Sequence, residues 1–244
     1  MNLENYREYP YLIYEPYSKT LKEKDPQRKD HQRICLEMIL AYNASICLAN
    51  YYQYKISEED NDAKIGADLP KLDFDLGQMS IGKWNQVTRD TSKVLMEATN
   101  NGKNNDFLVK QIGELYQDNN WNKNVDELIR RRNADAHSGV KDNLKEELEK
   151  RQDMLDVLME KLAFFKYYKL LIPISEEVKN GNLICRCKDL SGDGNGTFDV
   201  NIDTENEKMG TELEHFDTYL FNADKKLSLS LEPIIISYNP SSDT

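Results

Sequence analysis

The sequence predicts a mainly α chain, a helical bundle followed by a small, mostly antiparallel β extension. Three observations predict it. Between residues 28 and 170, apolar residues recur at steps of three and four, the signature of helices with one buried face. From Leu170 onward the texture changes to short runs rich in β-branched and aromatic residues: Leu183 to Cys187, Thr197 to Ile202, Thr218 to Phe221, and Leu227 to Tyr238 broken by Pro233. Polar breakers rich in Asn, Asp and Gly separate the periodic stretches. With 244 residues and 28.4 kDa there is ample chain to bury a core. The expected organisation is a docked arm over 1–27, a helical bundle over 28–170 and a β-rich extension over 171–244.

The arm carries Tyr6, Tyr9, Tyr11, Tyr14 and Tyr17 among Pro10, Pro16 and Pro26. Prolines at that spacing argue against a long helix, so an extended segment with its aromatics on a neighbouring surface is expected. A base-stacking platform is the alternative. Arg28 to Ile56 reads as the first long helix. Cys35, Met38, Tyr42, Ala49 and Tyr52 form a stripe that Ile34, Ile39, Ile46 and Leu48 widen, so this helix is central, or buried on two sides. The second side could belong to another subunit. Ser57 to Leu76 reads as an Asp-rich surface loop. Ser80 is placed to cap a second helix over Ile81 to Ala98, with Ile81, Trp84, Thr88, Thr91, Leu95 and Ala98 inward. A short helix over Phe107 to Tyr116 and an Asn-rich turn over Gln117 to Asn124 follow.

The stretch Val125 to Gly139, VDELIRRRNADAHSG, organises the chain. Asn124 and Glu127 stand at capping-box spacing, and Gly139 sits where a glycine ends a helix. Leu128, Ile129, Arg132 and Ala136 share one face; an arginine there either snorkels out of the core or is aimed at an anion. Asn133 and His137 are four apart and lie one above the other. His137 is in the last turn, where the carbonyl end of the helix dipole favours a protonated imidazole. A cation, an amide and an imidazole so arranged suit acid–base chemistry on a phosphodiester. Arginines near a helix C-terminus are also ordinary dipole complementation, and spacing alone does not separate the two.

After this stretch Leu144, Leu148, Leu155, Leu158, Leu162 and Phe165 mark a helix of about two dozen residues, with Arg151 filling the missing rung. That arginine must find a carboxylate or an edge, or snorkel past Met154 and Met159. In the β extension, DLSGDGNGTFDVNIDTE has Val200 or Phe198 where a calcium loop needs Glu or Gly, so a hairpin turn is the better fit. Cys35, Cys47, Cys185 and Cys187 lack paired zinc spacing and read as buried reduced thiols of a cytoplasmic protein.

The run Arg132-Asn133-Ala134-Asp135-Ala136-His137 resembles the R-N-x-x-x-H signature of HEPN domains, a helical family rich in ribonucleases. Met79-Ser80-Ile81-Gly82-Lys83-Trp84 is similar to a segment ahead of the corresponding helix in bacterial members tied to defence systems. The resemblance covers Arg28 to Tyr168. It implies a toxin or antiphage-defence endoribonuclease that needs neither metal nor other cofactor and cuts RNA in a cleft shared by a homodimer. It implies Arg132 on the scissile phosphate, His137 in proton transfer and Asn133 orienting the imidazole. Arg130 and Arg131 would hold flanking phosphates. A regulatory protein or antitoxin is a further implied partner. Some bacterial members are silenced by nucleotidylation of a Tyr two residues after the His; Gly139 stands there, which speaks against that control. The competing function is a non-catalytic binding or oligomerisation module.

Charge and composition bound these readings. The net charge of −11 excludes sequence-independent nucleic-acid binding over the whole surface, so any RNA contact must be local. The opening MNLENYREYPYL lacks a basic start followed by an apolar segment, so no signal peptide is expected, and no membrane-spanning run either. His31 and His215 have no arginine at the motif spacing, and no helical HExxH is present.

Overall fold

The computed structural model describes residues 3–25, 27–59, 79–100, 109–137, 143–202, 218–222, 224 and 227–231, of which 53–59, 136, 137, 202 and 227 by backbone alone. The chain is mostly helical with a five-stranded antiparallel sheet in its C-terminal part. Two compact units divide it: residues 16–163, and residues 1–15 with 164–244. The first fifteen residues thus group with the sheet, where a separate arm over 1–27 was expected.

The helical unit is built on α2 (Gln27–Glu59). Every residue from Tyr42 to Tyr51 is buried, so the helix is enclosed around its whole circumference there. Over that stretch the covering comes from within the chain itself. Length and composition alone would let Gln27–Tyr52 cross a membrane, contrary to the expectation that no run is long enough; most of that stretch is buried inside the protein. The expected loop over Ser57 to Leu76 begins late, since α2 runs to Glu59, and its remainder lies outside the described residues.

Against α2 packs α3 (Ile81–Asn100), whose Ser80 accepts the Lys83 N–H through its hydroxyl at 3.3 Å, the expected cap. Ile81, Thr88, Thr91, Leu95 and Ala98 are buried as the stripe requires, and Trp84 is half-buried. The short α4 (Lys110–Gln117) leads at once into α5 (Asn119–His137). The expected Asn-rich turn over Gln117 to Asn124 is therefore helix. The reason is Asp118, whose carboxylate accepts the N–H of Asn120 at 2.7 Å and of Trp121 at 3.4 Å and starts α5 about two turns early. Asn124 caps nothing; its amide turns back to Asn120. Trp121 is fully buried beside Tyr116, ring centroids 6.0 Å apart, and anchors the first turn. The antiparallel partner α6 (Leu144–Lys161) is followed by a 3-10 turn over Ala163–Tyr167, so the expected single long helix is two segments. Lys161 of α6 pairs with Asp118, fastening the start of α5.

In the other unit α1 (Tyr11–Lys22) begins, with Pro16 inside it. This corrects the extended arm: the Pro10 carbonyl accepts the N–H groups of Ile13 and Tyr14, both at 2.9 Å, and a helix starts there despite the hydrogen bond Pro16 forfeits. The Tyr9 carbonyl accepts the Gly192 N–H at 2.8 Å, and Pro10 bridges to Ser191. Gly192 has φ +55°, and a Cβ there would meet the Arg7 carbonyl at 2.6 Å, so glycine is required.

The sheet runs β3-β2-β1-β4-β5, where β1 is Lys169–Lys179, β2 Asn182–Asp189, β3 Gly196–Ile202, β4 Tyr219–Asn222 and β5 Leu227–Ser230. Each neighbouring pair is antiparallel. The stretch 190–195 is the connection of the β2–β3 hairpin, as expected. The central strand β1 was not foreseen. It carries Pro173, which a sheet tolerates at a bulge, and the register does shift between Pro173 and Ser175. Leu171, Cys185, Cys187, Val200 and Phe221 form a small core on this sheet. All four cysteines are buried and free. Of the Leu227 to Tyr238 run, the part beyond Leu231 lies outside the described residues.

The packing predicts unequal roles for the two tryptophans. Trp121→Ala should lower unfolding stability by about 3–5 kcal/mol in urea titrations, and Trp84→Ala by clearly less. Equal losses would mean that Trp121 does not anchor α5.

Candidate functional site

The inward face of α5 changes character along its length. Trp121, Val125 and Leu128 are buried; the next positions on the same face are Arg132 and Asp135, both half-buried. The helix thus begins as a core element and ends as a charged wall. Asp135, which no sequence pattern marks, is the hinge of the arrangement. Its two oxygens accept Arg151 Nη1 at 2.6 Å and Nη2 at 2.9 Å, a bidentate pair. Arg151 Nε also donates to Glu147 at 3.1 Å, and the guanidinium side chain is only 6% exposed. Arg151 has therefore found its carboxylate and does not snorkel past the methionines.

Three consecutive arginines meet three different fates. Arg130 forks onto Glu127 at 2.6 and 2.7 Å on the surface. Arg131 is bound by both Glu127 and Glu147 and is mostly covered. Neither is placed as an unengaged phosphate ligand, because Glu127, expected in a capping box, binds both of them. Arg132 differs. Its partner among the described residues is the Asn133 side chain, Nη1 to Oδ1 3.1 Å, and no described carboxylate lies within ion-pair reach. Arg132 and Asn133 are thus brought together. The helix continues through His137, which puts its backbone one turn beyond Asn133. The His137 side chain and Gly139 lie outside what is described.

Arg132 and Asp135 line a cleft of about 310 Å³ whose opposite wall is the start of α2: Lys29, Asp30 and Arg33. Lys29 reaches Asp135 at 3.4 Å, and Arg33 reaches Glu37 at 3.4 Å. Sequence reasoning missed this wall, which is about a hundred residues away in the chain. One signal was available. Arg28, Lys29 and Arg33 crowd the first two turns of a helix, where the dipole disfavours cations, so their placement asks for another reason. Among the described residues no three His, Cys, Asp or Glu side chains gather as a metal site requires. Compared with family models, curated proteins and solved structures, the chain matches none.

Electrostatics follow the geometry. The Arg130 fork, helped by Arg131 and opposed by slight burial, holds the Glu127 carboxyl down at about 2. Burial works to raise Asp135, but Arg151 and Lys29 outweigh it and the carboxyl lies below its usual range. Burial likewise opposes, and Arg131 and Arg151 prevail, at Glu147. A carboxyl whose value is lower folded than unfolded stabilises the fold above the unfolded value and ceases to do so as pH falls through the folded one. Stability should therefore fall as pH drops from about 4 toward 2. Removing one partner costs the other its bidentate counter-ion, although Glu147 still holds Arg151 and Lys29 still reaches Asp135. Asp135→Asn and Arg151→Met should each cost about 1–3 kcal/mol, and the two together less than their sum. Additive losses in a double-mutant cycle by urea unfolding would show that the pair is not coupled.

Proposed function

We propose that this chain is a metal-independent endoribonuclease with a HEPN-type helical bundle, acting on single-stranded RNA as a homodimer whose two motifs share one cleft. The observation that carries the reading is the separation of Arg132 from its neighbours. Arg130, Arg131 and Arg151 are held by carboxylates, while Arg132 lines the cleft with its guanidinium against Asn133. A planar fork left for an anion suits two oxygens of a phosphate, which a lysine could not match.

In this reading the ribose 2′-hydroxyl attacks the adjacent phosphorus and the 5′ oxygen leaves. The hydroxyl must lose a proton, the leaving oxygen must gain one, and the phosphorane needs its charge neutralised. His137 is the side chain of the motif suited to the proton work near neutral pH. Arg132 neutralises the phosphorane, and Asn133 steadies the site. Toxin or defence roles, a regulatory partner and a cytoplasmic setting belong to the same proposal.

The net charge of −11 and the engagement of Arg130 and Arg131 favour a second reading, a module that binds a partner without cleaving it. One experiment separates the two. His137→Ala and Arg132→Ala should each abolish cleavage of single-stranded RNA with the thermal melt unchanged. Products should carry 2′,3′-cyclic phosphate, and EDTA should leave the rate alone. Cleavage that survives His137→Ala, or stops with EDTA, would favour the module.

A further inference from the structure

The geometry points to a second phosphate subsite at the start of α2: Lys29 and Arg33 take the RNA backbone phosphate next to the one held by Arg132. This rests on the reading of Arg132 as a phosphate ligand. It reassigns the flanking phosphates from Arg130 and Arg131, whose charges are engaged along α5 itself.

The cleft supports this by what its charges are committed to. Of its described lining residues, Lys29, Arg33 and Arg132 are cations and Asp30 and Asp135 anions. Asp135 is already saturated from within, because Arg151 takes both its oxygens. Among the described residues, three cations then face the opening against Asp30 alone. The two that have carboxylate partners hold them loosely. Lys29 to Asp135 and Arg33 to Glu37 are both 3.4 Å, with the Lys29 side chain 35% and the Arg33 side chain 42% exposed. Such pairs contribute little, so a phosphate can displace them. Lys29 can leave Asp135 without stranding a buried charge, since Arg151 remains. Arg130 stands in contrast, forked onto Glu127 at 2.6 and 2.7 Å. The volume of about 310 Å³ is at the small end for a ligand pocket, which suits one nucleotide unit of an RNA strand passing through.

The test uses a fully 2′-O-methylated single-stranded RNA, which binds but offers no attacking hydroxyl. Its affinity for the full chain is followed by fluorescence anisotropy across a salt series. Taking away one cation that neutralises a phosphate of a single strand should reduce the slope of log affinity against log salt by about 0.7. The Lys29→Gln/Arg33→Gln double variant should therefore lose about 1.4 of slope, and Lys29→Arg/Arg33→Lys should keep it. Arg130→Gln should lose clearly less than the slope of a single phosphate. An unchanged slope in the double variant, a loss as large in Arg130→Gln, or no binding by the unaltered protein would overturn the subsite. Unmethylated RNA run in parallel keeps the two proposals apart. Cleavage by the unaltered protein with no slope change in the variant removes the subsite and leaves the nuclease. A slope loss without any cleavage removes the nuclease and leaves the subsite.

Discussion

A guanidinium buried on the seam of α6 imposes its terms on the helical unit. Arg151 occupies a position where the neighbouring rungs are leucine, and a charge there is tolerable only if its hydrogen bonds are met. Meeting them draws in Asp135 of α5 and Glu147 of α6, and through Asp135 also Lys29 of α2. The pairs continue through Arg131 and Glu127 to Arg130. From Arg130 to Lys29 the signs alternate without a break across three helices. Alternation keeps like charges apart and lets each inner member serve two partners. At the opposite end of α5, Lys161 and Asp118 repeat the device once.

The same alternation sorts the cations by task. A row of three arginines reads in one dimension as a single basic cluster. On a helix, successive residues point about 100° apart, and here only Arg132 turns toward the cleft without meeting a described carboxylate. An acidic protein can present a cationic spot in this way, because carboxylates occupied by structural arginines do not screen the one that faces outward.

What the sequence disclosed follows from how local each cause was. Periodicity placed α2, α3 and α6 well, since an apolar stripe is a property of one segment. The need of Arg151 for a carboxylate was legible for the same reason: a charge on a leucine seam is an anomaly within its own helix. Its partner was not legible, because Asp135 falls on one of the unspecified positions between the Arg and the His of the motif. The start of α5 was misplaced because Asn124 and Glu127 imitate a capping box, while Asp118 does the capping. Strand β1 was hidden by Pro173, although Asn180-Gly181, with φ of +55° and +83°, is a strong two-residue hairpin signal that should have revealed it. Lys29 and Arg33 left one local trace, cations crowded at a helix start, but their meeting with Arg132 is a property of the folded bundle alone.

The pairing of Asp135 with Arg151 also constrains how this sequence can drift. Either residue replaced alone takes the bidentate counter-ion from its partner and leaves only the weaker pair, Glu147 for Arg151 or Lys29 for Asp135, whereas an apolar pair of similar bulk at both positions can fill the same space. The viable route between those two solutions passes through a poorly viable intermediate. Descendants of this chain should therefore keep both residues or exchange both, and positions 135 and 151 should carry a shared history although sixteen residues separate them.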